Sequence, residues 1–383
     1  MDRTRRLFKA GVTDPTMPGV QPSKRWGEPR KILVVLPTWV GDFVMATPTL
    51  RALRGRYPSA HITLLTNPNL EELIRGGTWM DGVMVWDAKR RRGRRMQGLL
   101  RMSAELRRRR FDWAVLLSNS FRSALLVRLG GVTRRLGYAR DGRGFLLNDP
   151  LPVPRADGEF AVRPMVKYYA AIAAALDCPP PGDDLELFTT PDCDERIEQR
   201  LDTLGIRQHG ALVVMAPGAS FGSSKCWPTE RFAALGDRLV NEMGAAVLVT
   251  CGPGEERIAH DICKAMTQSG TVMDAPLLTL GDLKSLIRRC DLLVSNDTGP
   301  RHFAKAFGVP VVTIFGSTAP EWTDTSYAQE RKVLIKVDCG PCQKPICPLG
   351  HLKCMTGVTV EMVMDACREL LQIRSSLVQG AAP

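Results

Sequence analysis

From Lys31 onward, short runs of β-branched residues and leucine alternate with longer stretches whose apolar positions recur every three or four residues. In the first half the short runs predict strands over 31–37 (KILVVLP), 61–66 (HITLLT), 82–87 (GVMVWD) and 112–118 (DWAVLLS). Helices are predicted between them. One covers 42–57, with Leu50, Leu53 and Arg54 near its end, and another covers 162–176. The stretch 177–184, DCPPPGDD, has three consecutive prolines and reads as a linker. The same alternation then restarts, with strands predicted over 211–217, 245–252, 271–275, 291–297 and 309–316 and a helix from Thr229 to Met243. Strands that are apolar throughout suit a parallel sheet covered on both faces. The fold class is therefore α/β, with two doubly wound Rossmann-like domains facing a central cleft. The first spans 31–180 and the second 185–376, each expected to have its own core.

Composition narrows the class. A chain of 383 residues with 44% hydrophobic and 24% charged positions is an ordinary globular protein. No stretch approaches the roughly 18 uninterrupted apolar residues of a membrane helix. The first 30 residues have no apolar core of the kind a signal peptide carries, so the expected compartment is the cytoplasm. They read instead as a disordered basic extension.

Charge divides the chain. Residues 1–182 hold 32 Lys and Arg against 15 Asp and Glu, a net of +17, and residues 183–383 hold 20 against 25, a net of −5. Two arginine-dense runs, 89–95 and 107–110, flank a helical stretch in which Met96, Leu99, Leu100 and Leu106 are expected to form one buried face. These runs suit a solvated face, an anionic membrane surface or a phosphorylated acceptor. Nucleic acid is disfavoured, because no aromatic residues for base stacking are interleaved with the arginines.

Ligands of doubly wound sheets sit beyond the carboxyl ends of the strands, which directs attention to four post-strand loops. The first contains Asp42, placed either to cap a helix or to act as a general base. The second, 217–228 (PGASFGSSKCWP), brings small residues, among them Gly218 and Ser220, and a cation, Lys225, suited to phosphate. It lacks the GK[ST] ending of a P-loop. The third contains Glu255 and Glu256, suited to ribose hydroxyls or to a helix start. The fourth joins Asp297, Thr298 and Gly299 to a helix carrying His302, where unpaired backbone N–H groups and the helix dipole favour an anion.

Three segments in register resemble the heptosyltransferases of glycosyltransferase family nine. They are 41–54 (GDFVMATPTLRALR), 217–235 (PGASFGSSKCWPTERFAAL) and 294–320 (VSNDTGPRHFAKAFGVPVVTIFGSTAP). The resemblance covers 31–374 and implies a GT-B fold, with an N-terminal acceptor domain and a C-terminal nucleotide-sugar domain. It further implies inverting transfer of heptose from ADP-heptose to the inner core of lipopolysaccharide. On that resemblance Asp42 is the catalytic base and Lys225 meets the donor phosphates. Gly218, Ser220, Glu255, Asp297, Thr298, Gly299 and His302 bind the donor. The partners implied are an ADP-sugar and an anionic glycolipid at the inner face of the membrane, and catalysis needs no cofactor. A related transferase with another sugar is one rival reading. A non-catalytic basic module is the other, and salt-sensitive DNA binding without nucleotide-sugar binding would mark it.

Four of the 11 cysteines stand apart: Cys339, Cys342, Cys347 and Cys354, spaced C-x2-C-x4-C-x6-C within 339–354. That spacing suits a structural zinc, with His351 as a substitute ligand. An iron–sulfur cluster, free thiols and redox pairs are the other readings.

Overall fold

The computed structural model describes residues 26–87, 95–156, 159–206 and 210–380. Residues 1–25 and most of the 89–95 arginine run lie outside the described residues, whereas 26–30, also expected to be disordered, are held in place: the Arg30 N–H donates to Asp112 Oδ2 at 2.8 Å and Glu28 pairs with Arg56 at 2.9 Å. The first unit comprises β1 (Lys31–Val35), α1 (Val40–Arg56), β2 (His61–Thr66), α2 (Glu71–Ile74), β3 (Gly82–Val85), α3 (Arg95–Arg109) and β4 (Trp113–Leu116). It continues through α4 (Phe121–Leu129), β5 (Arg134–Tyr138), β6 (Asp149–Leu151), a small hairpin of β7 (Arg155–Ala156) and β8 (Glu159–Phe160), and α5 (Met165–Ala175). The second unit comprises α6 (Pro191–Thr203), β9 (Leu212–Ala216), α7 (Thr229–Met243), β10 (Ala246–Val249), α8 (Glu256–Ala265), β11 (Gly270–Val272) and α9 (Leu280–Arg289). It closes with β12 (Leu292–Asn296), α10 (Gly299–Phe307), β13 (Val311–Ile314), β14 (Glu330–Val333), α11 (Lys353–Thr356) and α12 (Val360–Gly380).

The sheets repeat one topology. Their orders are β3-β2-β1-β4-β5-β6 and β11-β10-β9-β12-β13-β14, parallel throughout. The predicted strands all form, most of them shortened at their ends; β2 keeps its expected bounds, and β11 starts one residue earlier and ends three residues earlier than expected. β5, β6 and β14 were not anticipated. β5 reads RRLGY and β14 reads ERKV, so their charged residues hide the strand signal.

Side-chain alternation explains the layers. Ile32 and Val34 of β1 and Leu212 and Val214 of β9 face inward, into one apolar layer that is continuous between the units. Leu33 and Val35 face an outer core of the first unit only, and Val213 and Met215 an outer core of the second only. The expectation of two separate cores thus holds for the outer faces, whereas the inner faces share one. In α3, Leu99 and Leu106 are buried but Met96 and Leu100 are exposed, so the apolar face expected there is only half realised.

The units are fastened where they meet. Lys284 of α9 is buried and donates to the carbonyls of Glu72 (2.9 Å) and Arg75 (3.2 Å) at the end of α2, while Glu72 accepts from the Gly281 N–H at 3.0 Å. The proline-rich segment is also held. Arg51 of α1 donates to the carbonyls of Pro181 and Asp184, and the Glu186 N–H donates to the Thr47 hydroxyl at 2.9 Å. That hydroxyl also repairs α1 itself. Pro48 has no N–H for the Val44 carbonyl, and Thr47 Oγ1 donates to that carbonyl at 2.8 Å. Among the described residues no helix is long and apolar enough to cross a membrane.

Candidate active site

Both sheets change winding direction beside their first strand, between β1 and β4 and between β9 and β12, and crevices open at such switch points. Asp42 follows β1, the 217–228 loop follows β9, and Asp297 follows β12. The candidate groups therefore sit at the two switch points, and the sheets bring these ends together.

The closest approach is between helix N-termini. Gly41 lies against His302, and Gly299 lies against Val40. A Cβ added at Gly299 would fall 2.5 Å from Val40 Cγ1, so no larger residue fits while α1 and α10 are this close. Neither helix is capped by the side chain of its leading residue, Trp39 or Thr298. Two positive dipole ends with unfilled N–H groups thus point into one crevice, a setting that favours an anion.

Asp42 is the acid closest to this junction. Protein surrounds it while part of its surface stays open to the cleft. Desolvation pushes its carboxyl up to about 6, and Lys225 pulls partly against that rise. Ionised but weakly solvated, such a carboxylate suits proton abstraction near neutral pH. Tyr169, wholly buried in α5, lies within its field and is held well above the ordinary phenol range, chiefly by burial.

Asp297 stands in the turn between β12 and α10, as expected from the sequence. It is buried, and its carboxylate accepts from Lys225 Nζ (2.6 Å), Arg301 Nη1 (2.7 Å) and the Thr318 hydroxyl (2.7 Å). Burial alone would raise its pKa, but Arg301 and then Lys225 outweigh burial and hold it far below the usual carboxylate range. Arg301 is 1% exposed and also pairs with Glu330 at 3.0 Å. Asp297 is therefore a hub that positions cations beside the N-terminus of α10.

Lys225 is correspondingly a fixed cation. Two of its three N–H groups go to the carboxylate and carbonyl of Asp297, and its ammonium sits 5.0 Å from the Phe221 ring centre. One N–H remains for a ligand. His302 is buried and held well below its usual pKa, first by desolvation and then by Arg301, so it faces Gly41 as a neutral imidazole. Glu255 folds over Gly218 and accepts from the Gly252 N–H at 3.0 Å, which places it beside the 217–228 loop. Ser220 stands exposed in that loop.

Several residues escaped the sequence reading. Arg301 stands four positions after Asp297, an ion-pair spacing on a helix, and that was its available signal. On the first unit's side Arg143 is fully buried beyond β5. It donates to the carbonyls of Tyr138 and Ser118 and to Asn119 Oδ1, and the Tyr168 hydroxyl reaches the same Asn119 oxygen at 3.1 Å. Nothing in the local sequence marks this polar network at the first sheet's switch point.

The four C-terminal thiols line one cavity of about 20 Å³. Among the described residues, however, no group of three or more His, Cys, Asp or Glu side chains is placed so that it could hold a metal ion.

Comparison with known proteins agrees with this geometry. A family model described as glycosyltransferase family 9 (heptosyltransferase) matches residues 99–353. The chain is 28% identical over 362 residues to lipopolysaccharide heptosyltransferase 2 of Salmonella typhimurium, covering 89% of this chain and 98% of that protein. It superposes on the E. coli ADP-heptose lipopolysaccharide heptosyltransferase II with a TM-score of 0.74 at 25% identity, covering 90% and 99% of the two chains. It also superposes on a family 9 glycosyl transferase from Veillonella parvula, with a TM-score of 0.77 at 22% identity and covering 90% and 97%.

Proposed function

Since the chain belongs to glycosyltransferase family 9, we propose that it transfers heptose from ADP-heptose to the inner core of lipopolysaccharide, inverting the anomeric centre. The observation that carries this reading is the meeting of the first turn of α1, which holds Asp42, with the uncapped N-terminus of α10, close enough to Lys225 for its charge to act on the Asp42 carboxyl. Near full-length similarity to enzymes named for heptose transfer to lipopolysaccharide supports the choice of sugar and acceptor.

In this reading the ADP diphosphate lies across the α10 N-terminus, with the free N–H of Lys225 on it and Glu255 on the ribose. As the bond from the sugar C1 to the diphosphate oxygen breaks, negative charge grows on ADP where the helix dipole and Lys225 can offset it. On the opposite side Asp42 takes the proton of the acceptor hydroxyl, whose oxygen forms the new bond to C1. The neutral His302 can hydrogen-bond without adding charge. The basic N-terminal unit suits an acceptor that carries phosphates and acid sugars at the membrane surface.

The test is product mass spectrometry after incubation with ADP-heptose and a heptose-deficient lipid A core. A gain of one heptosyl unit is expected. No gain, or equal gain from UDP- or GDP-sugars, overturns the reading. Thermal shift should likewise show stabilisation by ADP beyond that by UDP or GDP.

Lys225→Ala should lower kcat/KM for the donor by roughly 10- to 100-fold, the range expected for a lost charge-assisted contact of about 1.5–3 kcal/mol. Steady-state kinetics should place the loss in both KM and kcat, because the ammonium serves bound donor and departing ADP alike. A change confined to the acceptor KM would contradict this role.

A further inference from the structure

The cysteine segment is joined to the donor site by direct contacts. Pro345, between Cys342 and Cys347, accepts from the Ser224 N–H at 3.1 Å, and the Ser224 hydroxyl donates to the Lys344 carbonyl at 2.5 Å. The Gln343 N–H donates to the Ser317 carbonyl at 2.8 Å, and the Ser224 and Ser317 hydroxyls are 2.8 Å apart. Gly222 has φ 148° and carries the Pro345 carbonyl where a Cβ would stand, so the two loops are packed backbone to backbone. Ser224 precedes Lys225 and Ser317 precedes Thr318, and both Lys225 and Thr318 converge on Asp297. The wall of the thiol-lined cavity is thus the strut behind the donor-phosphate cation.

We propose that Cys339, Cys342, Cys347 and Cys354 bind one thiophilic divalent metal, zinc or iron, and that the loaded site braces the 222–225 loop so that Lys225 keeps its place on the donor. The cavity has room for one ion-sized occupant, and Ser224 and Ser317 form its far wall. His351 falls outside the ligand set. Its Nδ1 accepts from the Lys353 N–H at 3.0 Å, so Nε2 carries the proton and points it at Cys339 Sγ, 3.9 Å away. Binding would require the four sulfurs to move inward to metal–sulfur bonds of about 2.3 Å.

The role of Lys225 here rests on the donor reading above, and the test separates the two. Protein purified without chelators should carry about one equivalent of zinc or iron per chain by elemental analysis, iron being distinguished by its visible absorption. Less than about a tenth of an equivalent of either overturns the proposal. Stripping the metal, with far-UV circular dichroism unchanged, should weaken ADP binding by roughly tenfold in calorimetry, and readdition should restore it. Unchanged ADP affinity in stripped protein overturns the bracing role. Ser224→Ala should keep the metal yet weaken ADP binding several-fold, which tests the strut even if thiol variants fail to fold. Loaded protein that binds no ADP at all would instead remove the donor reading.

Discussion

Asp42→Asn is expected to lower kcat by about 10²- to 10⁴-fold, the range of a lost general base. The amide matches the carboxylate in size and keeps its place in α1, but it cannot take the acceptor's proton. ADP affinity should stay within a few-fold, because Asp42 acts on the acceptor's side of the reacting carbon. The pH profile gives an independent reading. With the carboxyl raised to about 6, wild-type log kcat/KM should climb with a slope near one up to about pH 6 and then level off, since only the ionised form is a base. The residual activity of Asp42→Asn should lack that limb.

Stability offers a further check with a definite sign. A carboxyl whose pKa is higher folded than unfolded binds protons more tightly in the fold, so ionising it opposes folding progressively from pH 3.8 up through about 6. The Asn variant should therefore melt at the wild-type temperature or above it near neutral pH. A variant retaining more than a tenth of wild-type turnover would show that another group removes the proton.

Arg301→Met is expected to cost about 3–5 kcal/mol of stability, the usual result of stripping one partner from a buried ion pair. Its guanidinium bridges Asp297 and Glu330, whose side chains are 4% and 3% exposed, and methionine would leave both carboxylates facing each other in a desolvated space. Chemical denaturation of the second unit reports the loss. Adding Glu330→Gln should recover part of it, because the neutral amide removes one unpaired charge. The pH dependence carries the opposite sign from that of Asp42. Asp297 is held below its unfolded pKa of 3.8, so its ionic contribution is complete above that value and is lost only as pH falls toward the folded one. ADP binding should weaken as well, since Asp297 without Arg301 no longer holds Lys225 and Thr318 in one geometry.

How far the site could be read in advance depended on the range of the interactions. The loops after β1, β9, β10 and β12 were placed correctly because strand, turn and helix signals are local, and the doubly wound rule then says which strand ends matter. Asp42, Lys225, Glu255, Thr298, Gly299 and His302 could be named from those loops. The state of each group could not. Lys225 looked like a mobile phosphate ligand in its glycine- and serine-rich loop, yet it is tethered to a carboxylate 72 positions away. Asp297 was read as part of a donor-binding turn at a helix start, and its burial among Arg301, Thr318 and Lys225, which reach it from three separate segments, could not be seen from that turn. The Arg143–Asn119–Tyr168 network had no sequence signal, being assembled from segments that are individually ordinary.

By itself the sequence determined most of the strands and helices and their order, the two doubly wound units, the family, and which loops carry charge or glycine. Those follow from hydrophobic periodicity and from residue types at neighbouring positions, which act over a few residues of chain. Only the tertiary structure decided that α1 and α10 meet head to head, that Asp42 is desolvated, and that the cysteine segment leans on the loop before Lys225. Desolvation and ion pairing are collective. They depend on which distant segments exclude water from a group and which charges they bring beside it, and that is set when the two sheets come together.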